Sequence, residues 1–277
     1  MHAFPIPVVA LGPGSQQEDE TLDYLPMPHD MHTYRAPILP EPEEVKDLAE
    51  ARVWLGRLLQ AVRDWQARQK TVSLDMNGLG EADRLLIDQV LGEGEVGAQV
   101  VGEGGTLTIQ ESVFAGVWRL RGRNNEGHVY ADSVEVGDVP VAVRAATGAA
   151  SPSAAPLDVG VVNAPALLAE IAEQVAQPAS DAHVINLSLL PFTPEDGLWL
   201  DQCLGRGQVT FLSRGYGNCR ITATGIARVW WVQFFNSQDA LILNTLEITD
   251  VPEVARAAAE DLADSAERLK EVLEWIS

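Results

Sequence analysis

Apolar positions along this chain follow two alternating periods, and they do so twice. Leu55, Leu58, Leu59 and Val62 fall three and four residues apart, the spacing of one helix face, and Leu167, Leu168, Ile171 and Val175 repeat that spacing. Val72-Ser-Leu74 and Val184-Ile-Asn-Leu-Ser188 then read as short strands. Leu85, Leu86 and Val90, and later Leu198, Leu200 and Leu204, read as second helices that stop at Gly92 and Gly205, glycine being the residue that most readily turns the chain out of a last helical turn. Four alternating runs follow in the first half, over roughly 95–101, 106–112, 114–121 and 128–136, separated by turns such as Glu103-Gly104-Gly105 and Asn124-Asn125-Glu126-Gly127.

The two series of elements are copies of one unit. Residues 72–96 lie over 185–209 at a shift of 113 with 9 identities in 25 positions, and residues 105–140 lie over 217–252 at a shift of 112 with 10 in 36. Chance would give about 4 identities over both blocks. The shared positions include Asp88 to Val96 over Asp201 to Val209 (D-Q-x-L-G-x-G-x-V), Val117-Trp118 over Val229-Trp230, and Glu135 to Pro140 over Glu247 to Pro252 (E-x-x-D-V-P). A repeat this long predicts an α+β fold of two tandem helix-strand-helix-four-strand lobes, not a solenoid. Each lobe is expected to be an antiparallel or mixed sheet with helices on one face.

The segments outside the copies divide the rest. Residues 1–46 hold half of the chain's 16 prolines and no helical period, which predicts an extended arm before lobe 1 at 47–140. Ala145–Pro156 is small-residue and Pro-containing, so 141–163 reads as a linker to lobe 2 at 164–252. Asp250-Val-Pro252-Glu253 has the form of a helix start and predicts a long C-terminal helix over 253–277, with the stripe Val254, Ala258, Leu262, Ala266, Leu269, Leu273 and Ile276.

Charge narrows the partners. With 19 basic against 40 acidic residues the net charge is −21, which disfavours nucleic acid and anionic membrane surfaces. No stretch approaches the ~20 apolar residues of a membrane span, and the N-terminal segment lacks a basic leader, so a cytoplasmic protein is expected. Two cysteines, Cys203 and Cys219, are too few for a structural zinc or cluster site within one chain. They stand over Val90 and Leu107 of the other copy, which favours buried thiols.

Several apparent motifs carry little chemistry. Gly92-Glu-Gly94-Glu-Val-Gly97 has the letters of a dinucleotide fingerprint but leaves a helix and enters a strand, the reverse order, with glutamates where pyrophosphate would sit. Met27, His29 and His32 suggest a soft-metal arm, against which stands their place in a Pro-rich segment. No nucleophile elbow, zinc-protease or Walker motif is present, and the expectation is a protein without catalytic residues, cofactor or metal. One stretch does depart from the rest: Gln202 to Gln238 contains no Asp or Glu while holding Arg206, Arg214, Arg220 and Arg228 and the aromatics Trp230, Trp231, Phe234 and Phe235. Aromatics on both faces of one strand predict a covered second face, either a lobe–lobe or homodimer interface or a client-binding surface. The turn gains Arg214, Tyr216, Asn218 and Arg220 where the first copy has Gly102-Glu-Gly-Gly105. The candidate partner-binding residues are therefore Arg214, Tyr216, Asn218, Arg220, Arg228, Trp230, Trp231 and Phe235.

Leu22-x-x-Leu-Pro-Met-Pro28, Met31-His-Thr-Tyr34, Pro40-Glu-Pro-Glu43, Leu212 to Arg220, Val229 to Asn236, Asn244-Thr-Leu-Glu247 and Ala263 to Arg268 closely resemble the HupH/HyaF/HoxQ family of hydrogenase expression/formation proteins, over nearly the whole chain. The resemblance implies an accessory protein for maturation of an uptake nickel–iron hydrogenase. Its partners would be the iron–sulfur small-subunit precursor before export and other maturation accessory proteins. The family supplies no catalytic residues to carry over. The alternative from another class is a redox or cluster-handling protein using Cys219 and Cys203 transiently, which requires exposed thiols.

Overall fold

The computed structural model describes residues 47–177, 181–214 and 217–276. The arm at 1–46, with Met27, His29 and His32, lies outside the described residues.

Both copies form in the expected order. In the first, α1 (Ala49–Arg68), β1 (Val72–Asp75) and α2 (Glu81–Leu91) precede β2 (Val96–Gly102), β3 (Gly105–Glu111), β4 (Val117–Asn124) and β5 (Val129–Val136). After a short helix α3 (Val141–Ala145), the second copy runs α4 (Ala164–Ala176), β6 (His183–Asn186), α5 (Pro194–Leu204), β7 (Arg206–Ser213), β8 (Asn218–Thr224), β9 (Val229–Phe235) and β10 (Leu241–Ile248). The two glycine stops are where the pattern put them, Gly92 at φ 54° and Gly205 at φ 64°.

One carboxylate fixes the first helix of each copy. Asp83 on α2 accepts the Ala51 N–H at 2.8 Å. Asp196 on α5, its repeat equivalent, accepts the N–H groups of Val162, Asn163 and Ala164 at 2.8 to 2.9 Å. Helix N-termini leave such donors without intrahelical partners. Burial pushes the Asp196 carboxyl up, but these N–H groups and that of Thr193 outweigh it and hold the carboxyl below its ordinary range.

The ten strands form one sheet, in the order β1-β5-β4-β3-β2-β7-β8-β9-β10-β6, with every neighbouring pair antiparallel. The two lobes are thus halves of a continuous sheet joined at β2 and β7. Across this seam Ala98 pairs with Phe211, Val96 with Ser213 and Val100 with Val209. At the repeat shift of 113, Ala98 is the equivalent of Phe211, Val96 of Val209 and Val100 of Ser213. Each pair is therefore matched by the pair with its roles exchanged, the property of a contact across a two-fold axis. The seam also removes two internal edges that would otherwise expose unpaired N–H and C=O groups, leaving the four-residue strands β1 and β6 at the rims.

Strand alternation sorts the core into three parts. On one face α1 and α2 cover Val117, Val134 and Val136, and α4 and α5 cover Ile185, Val229, Leu246 and Ile248. On the other face a single cluster crosses the seam, running from Trp118, Leu120 and Ile109 through Ala98 and Phe211 to Ile221, Trp230 and Val232. Its cover comes from Val139 and Val143 beside α3, and from Val251 and Ala255 at a 3₁₀ turn over Glu253–Ala255. These too are equivalents, at a shift of 112.

At the axis the two copies of the E-x-x-D-V-P motif lock together. Arg144 bonds Asp138 at 2.8 Å and Asp250 at 2.6 Å, while Arg256, the equivalent of Arg144, reaches Asp138 at 3.0 Å. Burial raises the Asp138 carboxyl, and the two guanidiniums outweigh it, holding it below the ordinary value. The indole N–H of Trp118 donates to Gly137 O at 2.9 Å, and that of Trp230 to Thr249 O at 3.2 Å.

This cluster changes the C-terminal helix. The sequence pattern starts it near 253, but Arg256 and Ala258 are extended and α6 runs Ala259–Trp275. Asp250 is engaged by Arg144, and Ala257 N–H donates to Asp138 O at 2.9 Å, so the chain is drawn straight across the axis before it coils. Helix α6 then packs on the first half: Leu262, Ala266 and Leu269 join the α1 core, Leu262 sits so close over Gly116 that a Cβ there would lie 2.4 Å from its Cγ, and Arg268 donates to Val113 O at 2.9 Å. The linker does the reverse, docking on the second half where Trp199 Nε1 donates to Pro156 O at 2.9 Å. Each half is closed by the segment that follows the other.

Under α6 lies Glu111, whose Oε1 accepts the Gly116 N–H at 3.1 Å. Burial pushes its carboxyl up to about 7, with the charges of Glu95 and Asp261 adding to the rise against that hydrogen bond. The folded-state value exceeds the unfolded one, so this stability is fully present below about pH 4.5 and is lost as pH rises through 7. Glu111→Gln is expected to leave stability nearly unchanged at pH 4.5 and to raise it by about 3 kcal/mol at pH 8, read from urea denaturation at the two pH values.

Candidate partner-binding surface

The acid-free stretch forms α5's last turn and strands β7, β8 and β9. Alternation along β8 sends Asn218, Arg220 and Thr222 to the helix-bearing face and Cys219, Ile221 and Ala223 to the opposite, seam-crossing core. Asn218 pairs in register with Phe235 and Arg220 with Gln233, so Phe235 shares the face of Asn218 and Arg220. Arg220 Cζ lies 5.5 Å from the Phe235 ring centroid, a cation–π contact in a side chain only 9% exposed. Arg214 is exposed, and its backbone N–H donates to Glu95 O at 3.1 Å, which ties the β7–β8 turn to the first half. With Leu212 and Ser213 these residues line a shallow niche at the end of the hairpin.

The structure thus gathers Arg214, Asn218, Arg220 and Phe235. Tyr216 lies outside the described residues. The other three stand elsewhere. Arg228 sits at the opposite end of β8, in a turn at φ 64°, where Nη1 donates to Gln177 O at 3.3 Å. Trp230 is 1% exposed in the seam-crossing core. Trp231 packs against the α4–α5 cluster and donates to Asn244 Oδ1 at 2.6 Å. The aromatics on both faces of β9 are therefore covered largely from within the chain: α3 and the Glu253–Ala255 turn roof the Trp230 side and the helices α4 and α5 roof the Trp231 side.

The equivalent sites in the first half carry charge instead. Arg119 stands for Trp231 and Asp132 for Asn244 at a shift of 112, and Arg119 binds Asp132 and, at 2.8 Å, Asp88. Arg121 also reaches Asp88, at 2.6 Å, and Arg84 reaches Asp132 at 3.2 Å. The sequence reading missed this network because no one segment contains it. The repeat shift, which lays Arg119 over Trp231, was its only signal.

Both thiols are buried, on opposite sides of the sheet. Cys203 packs with α4 and α5, its Sγ accepting the Ala155 N–H at 3.2 Å, and Cys219 lies in the seam-crossing core. Burial, with the nearby Glu247 carboxylate, pushes the Cys219 thiol up to about 12, far from the thiolate that attacks disulfides or binds metal. A site shared by the two sulfurs would have to pass through the sheet. We expect both native thiols to react with a thiol reagent at least about tenfold more slowly than in unfolded chain at pH 7.5, followed by mass spectrometry; fast labelling of Cys219 would contradict the burial argument.

Comparison with known proteins agrees with the internal duplication. The family described as HupH hydrogenase expression protein, C-terminal conserved region, matches twice, at residues 48–159 and 161–276. The chain is 50% identical to the hydrogenase expression/formation protein HoxQ of Cupriavidus necator, over 100% of this chain and 99% of that one. It is 49% identical to HupH of Rhodobacter capsulatus, covering 99% and 98%, and 33% identical to the hydrogenase-1 operon protein HyaF of Escherichia coli, covering 96% and 95%. A solved HupH structure from Thiobacillus denitrificans is 34% identical with a TM-score of 0.37, covering 39% of this chain and 92% of that one. The chain belongs to the HupH hydrogenase expression protein family and carries its conserved region in two copies.

Proposed function

We propose that this chain is a hydrogenase accessory protein that works by binding, not catalysis, and that it holds a protein client in the cytoplasm during hydrogenase formation. The client of the reading is the iron–sulfur small-subunit precursor before export, together with other accessory proteins. The relatives, named as hydrogenase expression/formation proteins and matched end to end, support the setting.

The observation that carries the binding reading is the niche at the β7–β8 turn. Fold maintenance needs a turn there, and the first copy makes one with Gly102-Glu-Gly-Gly105. The second copy instead gathers an exposed Arg214, Asn218 and an Arg220 guanidinium stacked on Phe235 around one niche. Arginine forks bind carboxylates bidentately, and Arg and Tyr are the side chains that most often anchor interfaces. In a chain of net charge −21 this is a local site for acidic or C-terminal carboxylates.

Tagged protein and small-subunit precursor are to be co-expressed, and capture compared with melting temperature. Arg214→Glu and Tyr216→Ala should each weaken capture by about 1 to 3 kcal/mol, roughly five- to 150-fold, with little change in melting temperature. Trp231→Ala should instead destabilise the second half by about 3 kcal/mol. Undiminished capture by the first two variants would remove the niche from consideration.

A further inference from the structure

We propose that the trough on the helix-bearing face of the sheet, between the two helix pairs, is the seat of this chain's own N-terminal arm, residues 1–46. The arm's acidic segment Glu18–Tyr34 would lie across strands β3, β2, β7 and β8.

The first observation is a partly open floor, buried at Leu212 and Arg220 near the β7–β8 turn and open toward the β2–β3 turn. Among the described residues helix α2 meets β4, where Asp88 binds Arg119 and Arg121, and the cluster of α4 and α5 meets β9 at Trp231. Between them the register places Thr108, Gln99, Thr210 and Thr222 in one row across four strands. Thr108 and Gln208 are exposed, and Val101, on the same face, is 53% exposed. The floor carries no carboxylate. A four-strand strip is about 15–20 Å across, the width of one extended segment and its side chains.

The second observation is charge. Beside the floor Arg84, Arg119 and Arg121 share the two carboxylates of Asp88 and Asp132, which leaves one positive charge in excess. Arg123 on β4 donates to a backbone oxygen, that of Gly127, and Arg206 on β7 meets Asp201 at 3.7 Å, both ends more than 45% exposed. The arm has 8 acidic residues (Glu18, Asp19, Glu20, Asp23, Asp30, Glu41, Glu43 and Glu44) against Arg35 and Lys46, net −6. Between its acids stand Leu22, Tyr24, Leu25 and Met27, suited to a neutral Thr, Gln and Val surface. Its prolines keep it from pairing as a central strand, so side chains must seat it.

The third observation is the point of attachment. Helix α1 begins at Ala49 and is tied by Ala51 N–H to Asp83, in the first turn of α2, so the arm joins the fold at one wall of the trough. The 12 residues from 35 to 46 span up to about 40 Å extended, more than enough to carry Glu18–Tyr34 across the floor.

The test is intrachain cross-linking in the full chain, with oxidised glutathione as oxidant and the buried native cysteines left in place. Leu25→Cys is paired with Thr108→Cys on the floor, or with Val53→Cys on the outer face of α1, which is 58% exposed and nearer in sequence. The seated arm should link to position 108 at least about tenfold faster than to 53, and Glu20→Lys with Asp23→Lys should erase the difference. Gln208→Cys replaces Thr108→Cys should the latter fail to fold. Equal rates at the two positions, or links at 108 that form only between chains, would overturn the proposal.

Discussion

Everything in this molecule hangs on the pairing of β2 with β7. Neither half has a sheet that closes on itself, and each would present a seven- or eight-residue edge to solvent. Pairing the two copies of the same strand about Ala98 and Phe211 satisfies both edges at once and places one apolar surface across the six central strands, β4 to β9. Once that seam is formed the remaining symmetry follows. The motif copies meet at the axis as Asp138, Arg144, Asp250 and Arg256, and the tails cross, the linker closing the second half and α6 the first. The contact that two copies of a single-repeat chain would make in a homodimer is here made within one polypeptide.

Duplication frees the halves to diverge while the seam keeps them together. Where the first half answers burial under the helices with ions, Arg119 on Asp88 and Asp132, the second answers with an indole on an amide, Trp231 on Asn244. Buried ion pairs carry a desolvation cost that an aromatic ring avoids, so such exchanges alter local charge without moving the backbone. At the β7–β8 hairpin the same freedom put Arg214 into a turn that the first half makes with glycines, and Asn218 and Arg220 where that half has Thr106 and Thr108.

Periodicity and the repeat made the unit legible: both helix pairs, the glycine stops at Gly92 and Gly205 and the four-strand runs are present in order. What escaped was what the copies do to each other. Two ordinary amphipathic strands give no local sign that they pair, although the role-exchanging register of Ala98 and Phe211 is implicit in a shift of 113. Asp250 and Glu253 look like a helix start because a carboxylate before a helix usually caps it; here Arg144 competes for it and the helix waits until Ala259. Trp230 and Trp231 looked like a surface for the same reason, since the segments that cover them come from distant parts of the chain. Of the candidate site, the four residues of the β7–β8 turn and its facing strand were readable because they depart from their own copies in the other half.

The central claim is that the seam makes two copies into one cooperative body. Calorimetric unfolding of the whole chain should show a single transition whose calorimetric and van't Hoff enthalpies agree, and Ala98→Asp, a charge placed at the seam's centre, should lower the whole of it. Two separable transitions in the unaltered protein, or an Ala98→Asp variant that leaves the transition in place, would contradict the account.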